Sequence, residues 1–256
     1  MILAGFLLFA VGAVDLVRQF VPRRWIGYLV VVIALLVLGS SADAVPAMII
    51  APAVAALWLW TMPDAGESRL TFWPAVGLGL LCVIAVVSFG DRGPVGVIGE
   101  VWQLQTPFGE TSFDLAMLVL GVFVFLLESS NRVVRAALAG EHAWHPGEVE
   151  IASTAESVTD ADGQAEAVVV TTARAGGFKG GRLIGPLERV IVFMLTLAGA
   201  YSLIAAMLAA KGIVRFPEIS KDGETGARAE YFLGGSLVSW VIALSAAFLV
   251  WWASHV

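Results

Sequence analysis

The chain has 256 residues, of which 59% are hydrophobic and 14% charged, with a mean hydropathy of +0.86 and a formal net charge of -6. Soluble domains average about 45–50% apolar and about 25% charged residues, so an ordinary water-soluble globule is excluded. The negative balance, with no basic block to neutralise phosphates, excludes nucleic acid as a partner.

The apolar start, 1–14, invites comparison with a secretory signal peptide. Such peptides place positive charge before the apolar stretch, whereas here Arg18, Arg23 and Arg24 follow it. The segment therefore reads as an uncleaved first helix. Six more apolar segments follow, so the expected fold is an all-α integral membrane protein of about seven transmembrane helices. Their bounds are 2–20, 25–42, 44–63, 70–90, 111–130, 190–210 and 231–254. At about 1.5 Å per residue, about 20 residues cross the roughly 30 Å hydrocarbon core. The first and fifth segments are the shortest between charges. Pro46, Pro74 and Pro186 sit where a span begins and a missing N–H costs nothing, while Pro52 lies inside the third span. Trp25, Tyr28, Trp58, Trp60, Trp73, Trp251 and Trp252 lie near span ends, where amphipathic rings suit headgroup depth.

Three regions result: a five-helix part (1–130), an acidic cytoplasmic insertion (131–186) and a charged two-helix hairpin (187–256). In the insertion, 147–166 holds six carboxylates and no basic residue. The runs EVEIAST and AEAVVVTTA fit a short β-hairpin, and the polar residues between them fit a flexible loop equally well. The 91–112 loop is unusually apolar, which suits a segment lying in the interface or dipping back into the bilayer. Counting Lys and Arg in alternate loops gives nine on one side and five on the other, which places the N-terminus outside and the C-terminus in the cytoplasm. That count leaves Lys211, Arg215, Lys221 and Arg228 on the outer side, against the rule. The composition, with 12 Arg to 3 Lys and abundant Ala, Val and Gly, suits a GC-rich bacterial genome, and the expected location is a bacterial inner membrane.

Charges at membrane depth are costly and serve as candidate sites. Asp15 is spaced to pair with Arg18 across one helical turn, and Asp114 and Glu128 lie near opposite ends of the fifth span. A helix-end salt bridge or snorkelling explains the Asp15 and Arg18 pair, and solvated helix ends explain Asp114 and Glu128, more readily than a functional role does. Around the hairpin, Arg132, Arg135, Arg182, Glu188, Arg189, Lys211, Arg215 and Glu230 are candidate contacts for a partner, a lipid or a solute. Lys211 and Arg215 share a helix face, and a tight hairpin would bring Glu230 towards Lys211. An ion-paired hairpin that only fixes helix packing has the same signature. Gly235 and Ser239, beside Ser236, have the small-xxx-small spacing that lets membrane helices approach closely.

Catalysis has no visible foothold. There is no GxxxxGK[ST], HExxH or CxxC, and no histidine stands beside a nucleophile. The single cysteine, Cys82, allows no internal disulfide and no zinc cluster. No catalytic residue, cofactor or metal is expected.

The segments NRVVR (131–135), GGRLIGPLER (180–189), AAKGIVRF (209–216) and AEYFLGGSLVS (229–239) resemble, in the same order, the C-terminal membrane part of a family of uncharacterised bacterial multi-pass proteins. Relatives carry a His-x-x-Gly-Asp motif in a different N-terminal region, and this chain lacks it. The resemblance implies a charged hairpin reused with different N-terminal regions, and no activity. The expectation is a non-enzymatic membrane subunit or scaffold, contacting lipids and docking a protein at its cytoplasmic face. The alternative is a carrier or channel for a small ion, solute or lipid, its path lined by Pro52, Asp15, Asp114 and the Lys211, Arg215 and Glu230 group.

Overall fold

The computed structural model describes residues 1–62, 72–90, 92–93, 95–102, 104–106, 109–139, 181–219 and 227–255. In chain order they form α1 (Ile2–Phe20), α2 (Arg24–Ser41), α3 (Val45–Thr61), α4 (Trp73–Phe89), α5 (Gly96–Val101), β1 (Leu104–Thr106), β2 (Gly109–Thr111), α6 (Phe113–Leu127), α7 (Ser129–Ala139), α8 (Gly181–Leu197), α9 (Tyr201–Ile219) and α10 (Ala227–Ala253). The protein is helical throughout the described residues apart from the three-residue antiparallel ladder of β1 and β2. The β-hairpin considered for the insertion falls outside the described residues.

The first helix is the centre of the bundle. α1 is apolar up to Val14 and packs against α2, α3, α4 and α6, so Phe6, Leu7, Ala10 and Val11 are enclosed. Its closest partner is α6, which runs parallel to it. Gly5 faces the backbone of Met117 and Leu118, and Gly12 faces that of Val124 and Phe125. A Cβ at Gly5 would lie 2.7 Å from the Leu118 nitrogen, and one at Gly12 would lie 2.7 Å from the Phe125 nitrogen. Gly121 meets the Gly5 carbonyl from the other side. Lipid chains are as apolar as leucine, so association rests on packing, and these glycines let two backbones touch.

Three helices are each long and apolar enough to cross a membrane: Ile2–Phe20, Arg24–Ser41 and Phe232–Ala253. The pair Phe113–Leu127 and Ser129–Leu138 joins them as a fourth, although it is bent by 49° at Glu128. α3, α4 and the 201–214 part of α9 are apolar but shorter. A helical fold with three to four candidate membrane-spanning helices thus stands in place of the seven expected, and two of the expected spans have a different form. The fifth is the bent pair, in which α7 is a helical extension of the span over the start of the 131–186 insertion, with Val133 and Ala136 in the core.

The sixth expected span, 190–210, is two helices. α8 ends at Leu197, Gly199 takes φ +68°, and Ala200 N–H donates to Leu195 O at 2.9 Å, closing a left-handed helix end that glycine adopts without strain. The chain then reverses as α9, and Lys211 returns beside Glu188. Hydropathy alone does not distinguish this turn from a continuous helix, because Ala-Gly-Ala is as apolar as its flanks. Pro186 also departs from expectation: it lies inside α8, which begins at Gly181, rather than at a span's first turn. Pro46 and Pro74 do occupy first turns, and Pro52 lies inside α3.

Candidate functional site: a buried polar network

The break between α6 and α7 organises the polar interior. Asp15, on α1, is fully enclosed at 0% exposure and faces this break. Ser129 Oγ donates to Asp15 Oδ2 at 2.7 Å, and Trp58 Nε1, from α3, donates to the same oxygen at 2.9 Å. On the other oxygen, Arg132 Nε of α7 lies 3.0 Å away and Arg18 Nη1 lies 3.5 Å away. Arg18 also donates to the Met62 carbonyl at 2.8 Å, which ties the end of α3 to α1. The expected i, i+3 partner is therefore the more distant of two guanidinium groups. Trp58, assigned by its position to an interfacial belt, is instead 3% exposed and a buried donor, while Trp60 remains outside at 61%.

Glu128 stands at the bend and is also buried. Its carboxylate lies 3.6 Å from Arg135 Nη2 and accepts from Asn131 Nδ2 at 3.3 Å. From α8, the buried Arg189 reaches across. Its Nε donates to the Leu126 carbonyl at 3.3 Å, its Nη1 to Ser239 Oγ of α10 at 3.3 Å, and its Nη2 to Asn131 Oδ1. Ser130 Oγ donates to the same Leu126 carbonyl at 2.7 Å. The C-terminal end of α6 is the negative pole of its dipole, so a guanidinium here opposes that charge and supplies carbonyl partners where the helix bends. A buried charge without such partners is costly, and each hydrogen bond to it recovers part of that cost.

A third group lies one residue away, around Glu188. Lys211 Nζ of α9 donates to both Glu188 oxygens, at 2.7 and 2.8 Å, and Trp240 Nε1 of α10 donates to Oε1 at 2.8 Å. The ammonium lies 5.4 Å from the Phe232 ring centre and 5.3 Å from that of Trp240, within cation–π range. One carboxylate thus joins α8, α9 and α10. The expected approach of Glu230 to Lys211 lies outside the described side chains, as do Arg182 and Arg215, whose backbones belong to α8 and α9.

At the opposite end of the bundle, Asp114 is clasped by Arg92. Nε and Nη2 donate to its two oxygens at 3.1 Å each, and the same guanidinium donates to the carbonyls of Asp43 and Ala42. This joins the start of α6 to the turn between α2 and α3. Asp114 is therefore remote from the network at the bend and shares no contact with it.

Asp15, Glu128, Arg132, Arg135, Glu188, Arg189 and Lys211 are all drawn together by the structure into one belt across α1, α6, α7, α8 and α9. Reading the chain alone misses Trp58, Ser129, Asn131, Arg92, Ser239 as a donor's partner, and Trp240. Serine, asparagine and tryptophan carry no charge, so Trp58 and Ser239 read along the chain only as an interfacial ring and a packing residue, and Arg92 stands in a loop with no partner near in sequence; only the Ser129-Ser130-Asn131 run after an apolar helix hints at a polar junction. Among the described residues no group of three metal-ligating side chains converges. Compared with protein-family models, curated proteins and solved structures, the chain shows no match.

Proposed function

We propose that this protein is a non-enzymatic subunit or scaffold of a bacterial inner membrane, holding a partner protein at its cytoplasmic face. The observation that carries this reading is the way the buried charges engage one another. Asp15, Glu188 and Arg189 each bind groups from at least two other helices, which fixes relative helix positions. Such cross-linking suits a rigid platform more than a path that a solute must wet and leave.

Sidedness supports the choice of face. The starts of α1 and α6 lie together with the α2–α3 turn, and the other end holds Arg18, Arg23, Arg24, Arg132 and Arg135. Because α9 runs back along α8, the end of α9 and the start of α10 belong to that second end as well. Arg182, Arg215 and Arg228, on α8, α9 and α10, then join it, and among the described residues Arg92 is the one basic residue at the first end. Arg215 and Arg228, two of the four basic residues that the seven-span count left outside, now fall on the Arg-rich side, which supports placing the cytoplasm there. On this reading the start of α1 and the end of α10 share the outer side, in place of the cytoplasmic C-terminus expected from the seven-span count. The acidic 147–166 stretch also falls on the cytoplasmic side.

Gentle extraction followed by native mass spectrometry, with cross-linking in the intact membrane, tests the reading. The expected result is a co-purifying protein at fixed stoichiometry, cross-linked through cysteines placed at Arg23 or Arg135. The carrier reading is favoured by one observation, that Asp15, Glu128 and Arg189 face inward at a broken helix. A bare protein that mediates flux in liposomes, with flux lost in Asp15→Asn while the fold persists, would replace the scaffold reading with that one.

A further inference from the structure

The segment between α4 and α6 is a folded cap at the end of the bundle where α1 begins. Gly90 (φ +47°) and Gly93 (φ +68°) turn the chain away from α4, and Arg92 clamps it to Asp114 and to the α2–α3 turn. Gly96 (φ +76°) presses on that turn so closely that a Cβ there would lie 2.6 Å from the Ser41 carbonyl. β1 and β2 close the loop, Trp102 Nε1 donates to the Thr111 carbonyl at 2.9 Å, and the Trp102 ring meets Phe113 edge-on with centroids 5.3 Å apart. The cap is thus built against the bundle end and does not re-enter it.

Its outer edge is apolar. Val97 and Val101, one helical turn apart on α5, are 71% and 76% exposed, and Leu104 follows them at 45%. The level of this edge is set by the α2–α3 turn, where α5 is seated. Immediately beyond that turn, Val45 and Ile49 of α3 face outward among the exposed apolar residues of the spanning helices, as Val37 of α2 does before it. The α5 edge therefore continues the lipid-facing belt at its outer rim, with the exposed Glu100 beside it. Leaving such an edge in water wastes about 25 cal/mol per Å² of apolar surface, whereas headgroup depth accommodates both valines and a neighbouring carboxylate.

We propose that α5 and the start of β1 lie flat in the membrane interface, with Val97, Val101 and Leu104 seated among headgroups and the first acyl carbons. The partner is the lipid surface itself. The inference rests on the spanning helices and not on the scaffold reading.

The test uses the full chain with Cys82→Ala, reconstituted in phosphatidylethanolamine and phosphatidylglycerol vesicles and carrying an environment-sensitive fluorophore on Val97→Cys, Val101→Cys or Val37→Cys. Labels at 97 and 101 are expected to show blue-shifted emission, loss of quenching by aqueous iodide, and quenching by lipids brominated near the headgroup. A Val101→Asp change should restore iodide quenching at position 97 without altering the label at 37. Iodide quenching of both cap labels in the parent, while the label at 37 stays lipid-quenched, overturns the proposal alone. Strongest quenching of the cap labels by lipids brominated near the chain ends also overturns it, in favour of a re-entrant loop. Iodide quenching at 37 as well overturns it together with the spanning assignment of α2.

Discussion

Asn in place of Asp15 preserves the shape of the side chain and removes the charge that Arg132 and Arg18 face. Two enclosed guanidinium groups then lose their counter-charge, and breaking a buried pair in this way costs about 3–5 kcal/mol. Asp15→Asn is expected to lower the unfolding free energy in detergent by that order, read from denaturant titration of tryptophan fluorescence. Trp58→Phe removes the indole N–H bonded to Asp15 together with part of the buried ring, and should cost at least the about 1–3 kcal/mol of the lost partner. Since both act on the same carboxylate, the double variant should be less destabilised than the two effects added together. At this scale the chain alone marked the acid and missed its setting. Asp15 stands out as a charge in an apolar run, but Ser129 and Arg132 lie more than a hundred residues later, and no spacing rule reaches that far.

Helix contacts depend on where a Cβ is forbidden. Gly12→Val would insert a side chain where the α6 backbone already stands, and α1 and α6 must separate to receive it. Gly77→Ala, on α4, meets open space within 4 Å and serves as its control. Thermal unfolding in the same detergent should show a large loss for Gly12→Val and none for Gly77→Ala, where alanine is the better helix former. Gly199→Ala tests the α8–α9 turn. Its positive φ strains any side chain, so a loss of about 1 kcal/mol or more is expected. A continuous helix over 190–210 would instead gain stability from the same change. Element positions were largely legible, because apolar segments separated by charges and prolines map onto α1 to α4, α6 and α10. The turn at Gly199 was not, because a glycine within an apolar run signals a tolerated helix residue and a helix end alike.

At the scale of the whole molecule, the proposed sidedness puts the start of α10 on the same side as the start of α8, because α9 runs back along α8. Single-cysteine variants at Arg23 and Lys221 should label from one side of sealed vesicles, and those at Glu100 and Ser254 from the other. A continuous span over 190–210 would place Lys221 with Glu100 instead. Cys82 is buried, so it adds little background in this measurement.

Membrane class and the approximate places of the helices were determined by the amino-acid sequence itself. Bilayer thickness acts on the chain as a length requirement, and hydropathy adds up residue by residue along one dimension. Tertiary structure alone decided which charges meet, where α6 bends, and that the chain turns back at Gly199. Those outcomes depend on distances between helices remote in sequence. There the cost of an unpartnered buried charge selects a pairing that no local pattern records.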